Sequence, residues 1–263
     1  MSTSLGTALV TGASSGIGAI YADRLAQRGY DLILVARNRT RLNTLAADIS
    51  TRTGRAVEVL AADLVEPAEL AVVEAKLRDD ASIRLLVNNA GIGTHTSLLD
   101  SDVERMTNLI TLNVTAPTRL AYAAVPGFVQ RGQGAIINIA SIVALAPELL
   151  NGVYGGSKAF LLAFSRSLKR ELAGTGVHVQ AVLPGATATE FWDVGGLPVS
   201  NLDPAIVMTA ENLVDASLVG FDRGEFITVP SLHEGELLEA YEAAREGLTG
   251  KLSSRTVAAR YAA

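Results

Sequence analysis

Tyr154 and Lys158 stand four residues apart in the run Tyr154-Gly155-Gly156-Ser157-Lys158. On a helix this spacing puts both side chains on one face. A phenol gives up its proton only at high pH, and a neighbouring ammonium favours the phenolate, which brings proton exchange toward working pH. The pair therefore reads as an acid–base device. Ser141 closes the apolar run Ala135–Ala140 and offers a hydroxyl that can hydrogen-bond a substrate oxygen at the same spot. Asn113 interrupts an otherwise helical stretch, Leu109-Ile110-Thr111-Leu112-Asn113-Val114, as a fourth polar group. Each also has a plain structural reading: a Tyr and a Lys as surface neighbours, a buried asparagine as a partner for backbone.

The octapeptide Thr11-Gly12-Ala13-Ser14-Ser15-Gly16-Ile17-Gly18 supplies a second kind of chemistry. It joins the apolar run Ala8-Leu9-Val10 to a helical pattern marked by Ile17, Ile20, Tyr21 and Leu25. A glycine-rich turn from strand to helix lets backbone approach a pyrophosphate, and the unpaired N–H groups of the helix start favour the anion. The spacing is G-x-x-x-G-x-G, one residue longer than the usual dinucleotide fingerprint. At the end of the next apolar run stands Ala36-Arg37-Asn38-Arg39, with no carboxylate to accept hydrogen bonds from the adenosine ribose of NAD. A guanidinium pairs with a 2′-phosphate, and Ser14 and Asn38 can add hydrogen bonds. This favours NADP(H), with NAD(H) as the alternative.

The elements that must hold these groups alternate along the chain. Apolar runs at Ala8–Val10, Asp31–Ala36, Val57–Ala61, Ile83–Val87, Ala135–Ala140, Val177–Leu183 and Glu225–Val229 read as strands. Between them lie helical patterns at Ile17–Arg28 (closed by Gly29), around Leu42–Ile49 (closed by Gly54), around Leu70–Leu77, over Val103–Gln130 with interruptions at Pro117 and Pro126, and over Val153–Ala173. The alternation predicts an α/β domain of Rossmann type, a doubly wound parallel sheet of about seven strands with helices on both faces. Ligands bind such sheets at the carboxyl ends of the strands. There the sequence sets the glycine turn, Arg37, Asp63-Leu64, Asn88-Asn89-Ala90-Gly91, Ser141 and Pro184-Gly185.

Bulk properties narrow the classes. A chain of 263 residues, 49% of them hydrophobic, can build one large core, and a net charge of −5 without a basic block argues against nucleic acid. With no cysteine there is no disulfide and no thiolate chemistry, and no metal set suggests itself. The start, Met1-Ser2-Thr3-Ser4-Leu5, lacks the features of a signal peptide, and no apolar run approaches the length of a membrane span. The expectation is a single domain in the cytoplasm with no membrane partner.

Taken together, the Thr-Gly-x-x-x-Gly-x-Gly turn, Asp63-Leu64, Asn88-Asn89-Ala90-Gly91, Asn113, Ser141, Tyr154-x-x-x-Lys158 and Pro184-Gly185-x-x-x-Thr189 resemble the short-chain dehydrogenase/reductase family in its compact single-domain branch, over about residues 5–230. The resemblance implies that Tyr154 is the general acid or base at a carbonyl or alcohol oxygen. Lys158 would lower its pKa and bind the nicotinamide ribose, Ser141 would polarise the carbonyl, and Asn113 would help hold a water in a relay with Lys158. It implies further that Gly12, Ser14, Ser15, Gly16, Ile17 and Gly18 cradle the pyrophosphate, and that Asp63 and Leu64 flank the adenine. Asn89, Ala90 and Gly91 would meet the adenosine-side ribose and phosphates; Pro184, Gly185, Thr187 and Thr189 would fix the carboxamide. A homodimer or homotetramer built on the helices around Val103–Gln130 and Val153–Ala173 follows from the same likeness.

Two features depart from the family pattern: Gly155-Gly156 where a Ser-Ala-type pair is usual, and a tail, about 232–263, with Leu237, Leu238, Tyr241 and Ala244 at helical spacing. The tail is expected as a helix packed on its own domain, or as part of a dimer interface or pocket. The substrate would be walled by Ile142, Val143 and Leu149 and by a loop at about 190–201 that carries Phe191, Trp192, Gly195, Gly196 and Pro198. Such a glycine-hinged aromatic loop suits a lid. The expected activity is NADP(H)-linked interconversion of a small-molecule carbonyl and an alcohol. The alternatives are a cofactor-binding regulator without turnover and an epimerase or dehydratase of nucleotide sugars.

Overall fold

The computed structural model describes residues 4–261. The chain forms two compact units, Met1–Pro230 and Ser231–Ala263. The larger unit opens with β1 (Thr7–Thr11), α1 (Gly16–Gln27), β2 (Asp31–Ala36), α2 (Arg39–Thr53), β3 (Val57–Ala61), α3 (Pro67–Asp79) and β4 (Ile83–Asn88). It continues with α4 (Val103–Ile110), a π-helical turn at Thr111–Thr115, α5 (Ala116–Gln130), β5 (Gly134–Ile139), α6 (Gly152–Glu171) and β6 (Val177–Val182). The short β7 (Thr187–Ala188), α7 (Phe191–Gly195) and β8 (Met208–Thr209) precede α8 (Ala210–Asp222) and β9 (Ile227–Thr228). The smaller unit holds α9 (Gly235–Glu246), in which no residue is buried. The last two tail residues and the first three of the chain lie outside the described residues.

Seven strands form one parallel sheet in the order β3-β2-β1-β4-β5-β6-β9, as the doubly wound pattern predicts. Alternate residues of each strand point to opposite faces. Ala8, Val10, Leu32, Leu34, Leu85, Val87 and Ile137 meet α1, α2 and α8, whereas Leu9, Ile33, Val35, Leu86 and Ile136 meet α3, α5 and α6. Two cores, one on each face, hold the sheet between its helices, and parallel pairing brings the carboxyl ends to one edge.

One sequence expectation needs correcting. The break in the helical region over Val103–Gln130 falls at the π turn and not at the prolines. Pro117 sits in the first turn of α5, and Pro126 is accommodated inside that helix. The backbone stays helical through Thr115 and Ala116, and Pro117 follows the wider turn in which Ala116 N–H reaches back to Thr111 O. The carbonyl that Pro126 deprives of its helical partner belongs to Tyr122, an exposed residue on the outer side of α5. The sequence also gives no sign of the small parallel pair β7–β8, which ties Thr187 and Ala188 to Met208 and Thr209.

Candidate active site

The glycine turn leaves β1 with Gly12 at φ +67° and reaches α1 with Gly16 at φ +53°, conformations that favour glycine. A Cβ on Gly12 would stand 2.7 Å from Asn89 Nδ2 and 2.9 Å from Ala90 Cα, so the turn lies directly on the end of β4. Asn89 braces it, donating from Nδ2 to the carbonyls of Thr11 (2.9 Å) and Gly12 (3.2 Å), while the backbone N–H groups of Asn89 and Ala90 donate to Thr11 Oγ1. That side chain shapes the cradle where the sequence reading has it touching the ligand. Ser15 caps α1 with extended backbone and no side-chain hydrogen bond, and the first turn carries no acid. The amide hydrogens of this helix start are therefore free of the usual internal anion substitutes.

At the end of β2, Arg37 is 72% exposed, with its guanidinium 3.8 Å from Asp63. Asn38 caps α2, its Oδ1 accepting from the backbone of Arg41 at 3.0 Å, which leaves its amide hydrogens for other partners. Arg41 reaches across to Glu190 at 2.7 Å. Asp63 accepts from the N–H of Val65, and Leu64 belongs to the core. Across the cradle, a Cβ on Gly16 would lie 3.1 Å from the methyl of Thr189. Thr187 donates to the carbonyl of Gly185 at 3.1 Å. Pro184 takes part through its carbonyl, which accepts from the backbone of Ile142 and, at 3.4 Å, from Ser141 Oγ.

The acid–base candidates gather where β5 ends and α6 begins. Asn151 caps α6 and so fixes the turn of helix that carries Tyr154 and Lys158. Tyr154 is 5% exposed, Lys158 5% and Ser141 8%. The sequence reading has the ammonium acidifying the phenol, but burial dominates both groups. It pushes Tyr154 up to about 12, drawn back by a hydrogen bond with Ser141, and it pulls Lys158 down to about 8. Lys158 Nζ donates to the carbonyl of Ile139 at 2.8 Å and stands 5.9 Å from the centre of the Tyr154 ring.

Asn113 is buried in the π turn. Its Nδ2 donates to Ile92 O (2.9 Å) and Ser157 Oγ (3.1 Å), and its Oδ1 accepts from Ile92 N (3.0 Å). Both amide hydrogens are thus committed, so a relay to Lys158 cannot use them. The remaining lone pair of Oδ1 and the Lys158 ammonium both border Gly91, whose added Cβ would lie 3.1 and 3.5 Å from them. Among the predicted substrate walls, Val143 is buried beside Tyr154 and Leu109, Ile142 is half-buried and Leu149 is 59% exposed. Phe191 packs on Tyr154, and Trp192 Nε1 donates to the carbonyl of Thr187 at 2.9 Å.

A family model described as short chain dehydrogenase matches residues 6–194. The chain belongs to the short-chain dehydrogenase family. It is an oxidoreductase of that family, and its likenesses are close over nearly the whole length. A short-chain dehydrogenase from Sphingobium yanoikuyae, solved in complex with NADPH, has 50% identity and a TM-score of 0.94, covering 98% of this chain and 100% of that one. The orthorhombic structure of a bulky-bulky ketone specific alcohol dehydrogenase from Comamonas testosteroni has 44% identity and a TM-score of 0.91, covering 99% and 100%. An uncharacterized oxidoreductase of Staphylococcus epidermidis is 34% identical over 207 residues, 76% of this chain and 88% of its own length. Among the described residues, no helix is long and apolar enough to cross a membrane.

The sequence reading misses Gly93 altogether, and it places Glu190 only at the start of the substrate loop without its partner Arg41. Neither carries a local signal. Gly93 matters through the ring of Phe191 and Glu190 through Arg41, and both contacts join segments far apart in the chain.

Proposed function

We propose that this short-chain dehydrogenase reduces ketones, and oxidises the corresponding secondary alcohols, with NADP(H). The observation that carries the reading is that Ser141, Tyr154 and Lys158 are buried together where β5 ends and α6 begins, with Lys158 Nζ 5.9 Å from the centre of the Tyr154 ring. Two hydroxyls held in one buried neighbourhood can serve one carbonyl oxygen. The remaining residues fit a dinucleotide: a cradle closed to side chains at Gly12 and Gly16, an anion-ready start of α1, and Arg37 in place of an acid. The NADPH of the Sphingobium protein and the ketone named for the Comamonas enzyme support the same assignment.

Gly12 to Gly18 would hold the pyrophosphate, Arg37 with Ser14 and Asn38 the 2′-phosphate, and Thr187 and Thr189 the nicotinamide end. The bound nicotinamide supplies or accepts the hydride. The polypeptide's part is proton management. Tyr154, kept neutral by burial, donates its proton to the ketone oxygen as that oxygen gains negative charge, and Ser141 donates a hydrogen bond to the same atom. Lys158 holds positive charge behind the phenol and stabilises the phenolate left after transfer. Asn113 acts by fixing Ile92, which packs in the Tyr154 cluster, and Ser157, which precedes that lysine. Exposed Val103, Ile110, Tyr122 and Phe160 on α4, α5 and α6 support assembly of two or more copies. A screen of NADPH oxidation over ketones, aldehydes and quinones tests the activity. NADPH binding without turnover anywhere in that screen would refute it in favour of a regulator.

A further inference from the structure

Phe191 rests on Gly93. A Cβ built on Gly93 would collide with Cζ of that ring and stand 2.8 and 3.0 Å from its two Cε atoms. Gly93 is buried, and it is absent from the glycines with positive φ, so its backbone conformation alone does not require glycine. The missing side chain answers to the ring. The same ring lies 5.8 Å from that of Tyr154, tilted by 49°, and meets Trp192 edge-on at 5.9 Å. Tyr154 is otherwise enclosed by Leu109, Val143, Ile92, Leu150 and Val153. Phe191 differs from these in its support, because it opens a five-residue helix that ends on Gly195 and a left-handed Gly196.

We propose that Gly93 is a specificity-determining residue: it is the seat that lets Phe191 lie in against Tyr154, where the ring limits one substituent of the ketone. The inference rests on the ketone-reductase reading above and adds the residue that sets substrate size. A methyl group at position 93 evicts the ring from its seat. The ring cannot advance, because Tyr154 stands in a closed cluster, so it retreats with α7 and widens the space beside the phenol. One methylene in an apolar pocket is enough to change discrimination by tenfold or more.

The test compares kcat/KM for a compact methyl ketone and a diaryl ketone in the wild-type protein, Gly93→Ala, Phe191→Ala and the double variant. Each single substitution is expected to raise the diaryl-to-methyl ratio about tenfold. The double variant is expected to match Phe191→Ala within about twofold, because the methyl group has no ring left to displace. A Gly93→Ala variant that slows both ketones equally, or acts in full on top of Phe191→Ala, overturns the proposal. Trp192, the one tryptophan of the chain, gives a readout that needs no turnover. Gly93→Ala is expected to raise its acrylamide quenching, and unchanged quenching also overturns the seat. Absence of ketone reduction by the wild-type protein would refute the underlying activity instead, with the quenching result still deciding whether Phe191 sits on Gly93.

Discussion

Tyr154 holds its proton more tightly than a free phenol because burial penalises the anion more than Ser141 relieves it. This suits a donor in ketone reduction. Tyr154→Phe is expected to lower kcat by a factor of about 10²–10⁴ while NADPH affinity stays within experimental error, measured by turnover and by fluorescence titration. Lys158 makes a prediction about stability. Its proton is lost at about 8 in the folded chain against 10.5 unfolded, so between those values the unfolded chain binds the extra proton. The contribution of Lys158 to stability therefore rises with pH across that window, and the burden of burying the charge is fully present below pH 8. Relative to Lys158→Met, the difference should swing by about 3 kcal/mol between pH 7 and pH 11, with the wild type gaining. Denaturant titrations of both proteins at the two pH values check it, and a flat difference would show that the lysine is not desolvated. Arg37 is exposed and loosely paired, so Arg37→Ala should leave melting unchanged yet weaken NADPH about tenfold relative to NADH, a loss of about 1.4 kcal/mol.

At the scale of elements, the strands are the most legible part of the chain. Runs such as Asp31-Leu-Ile-Leu-Val-Ala36 are buried on both faces and read as continuous apolar segments. The residues at their carboxyl ends are legible for the same reason, since the sheet brings them to one edge wherever the strands stop. The π turn at Thr111–Thr115 is not legible, because nothing in residue type distinguishes a wider turn from an α-helix. Its effect is specific: it presents Asn113 to both backbone groups of Ile92. Asn113→Ala would leave the N–H and carbonyl of half-buried Ile92 without their partner. The expected cost is about 2 kcal/mol, seen as a fall in Tm of about 4–8 °C, with kcat reduced beyond what the lost stability explains. Packing between distant segments is equally hidden from sequence, which is why Phe191 is visible as an aromatic loop residue but its seat on Gly93 is not.

At the scale of the whole molecule, the two units differ in how they are held. The larger one has a core on each face of its sheet, and every fully buried large side chain lies within it. The smaller one, Ser231–Ala263, includes α9, in which no residue is buried: Leu237 is 60% and Tyr241 45% exposed, and Leu238 is half-buried. Apolar surface that is not removed from water contributes nothing to folding. A chain ending at Pro230 should therefore unfold in one cooperative transition with a loss below about 1 kcal/mol, or a shift in Tm of no more than about 2–4 °C. Calorimetry of the two chains measures this directly. NADPH titration of the shortened chain adds a second reading, because the cradle, Arg37 and the Tyr154–Lys158 pair all lie before Pro230. A collapse of the transition would mean that the tail is covered in solution by surface it does not bury here, with a second copy as the nearest candidate. A parallel fall in mass by light scattering would then identify that copy as the cover.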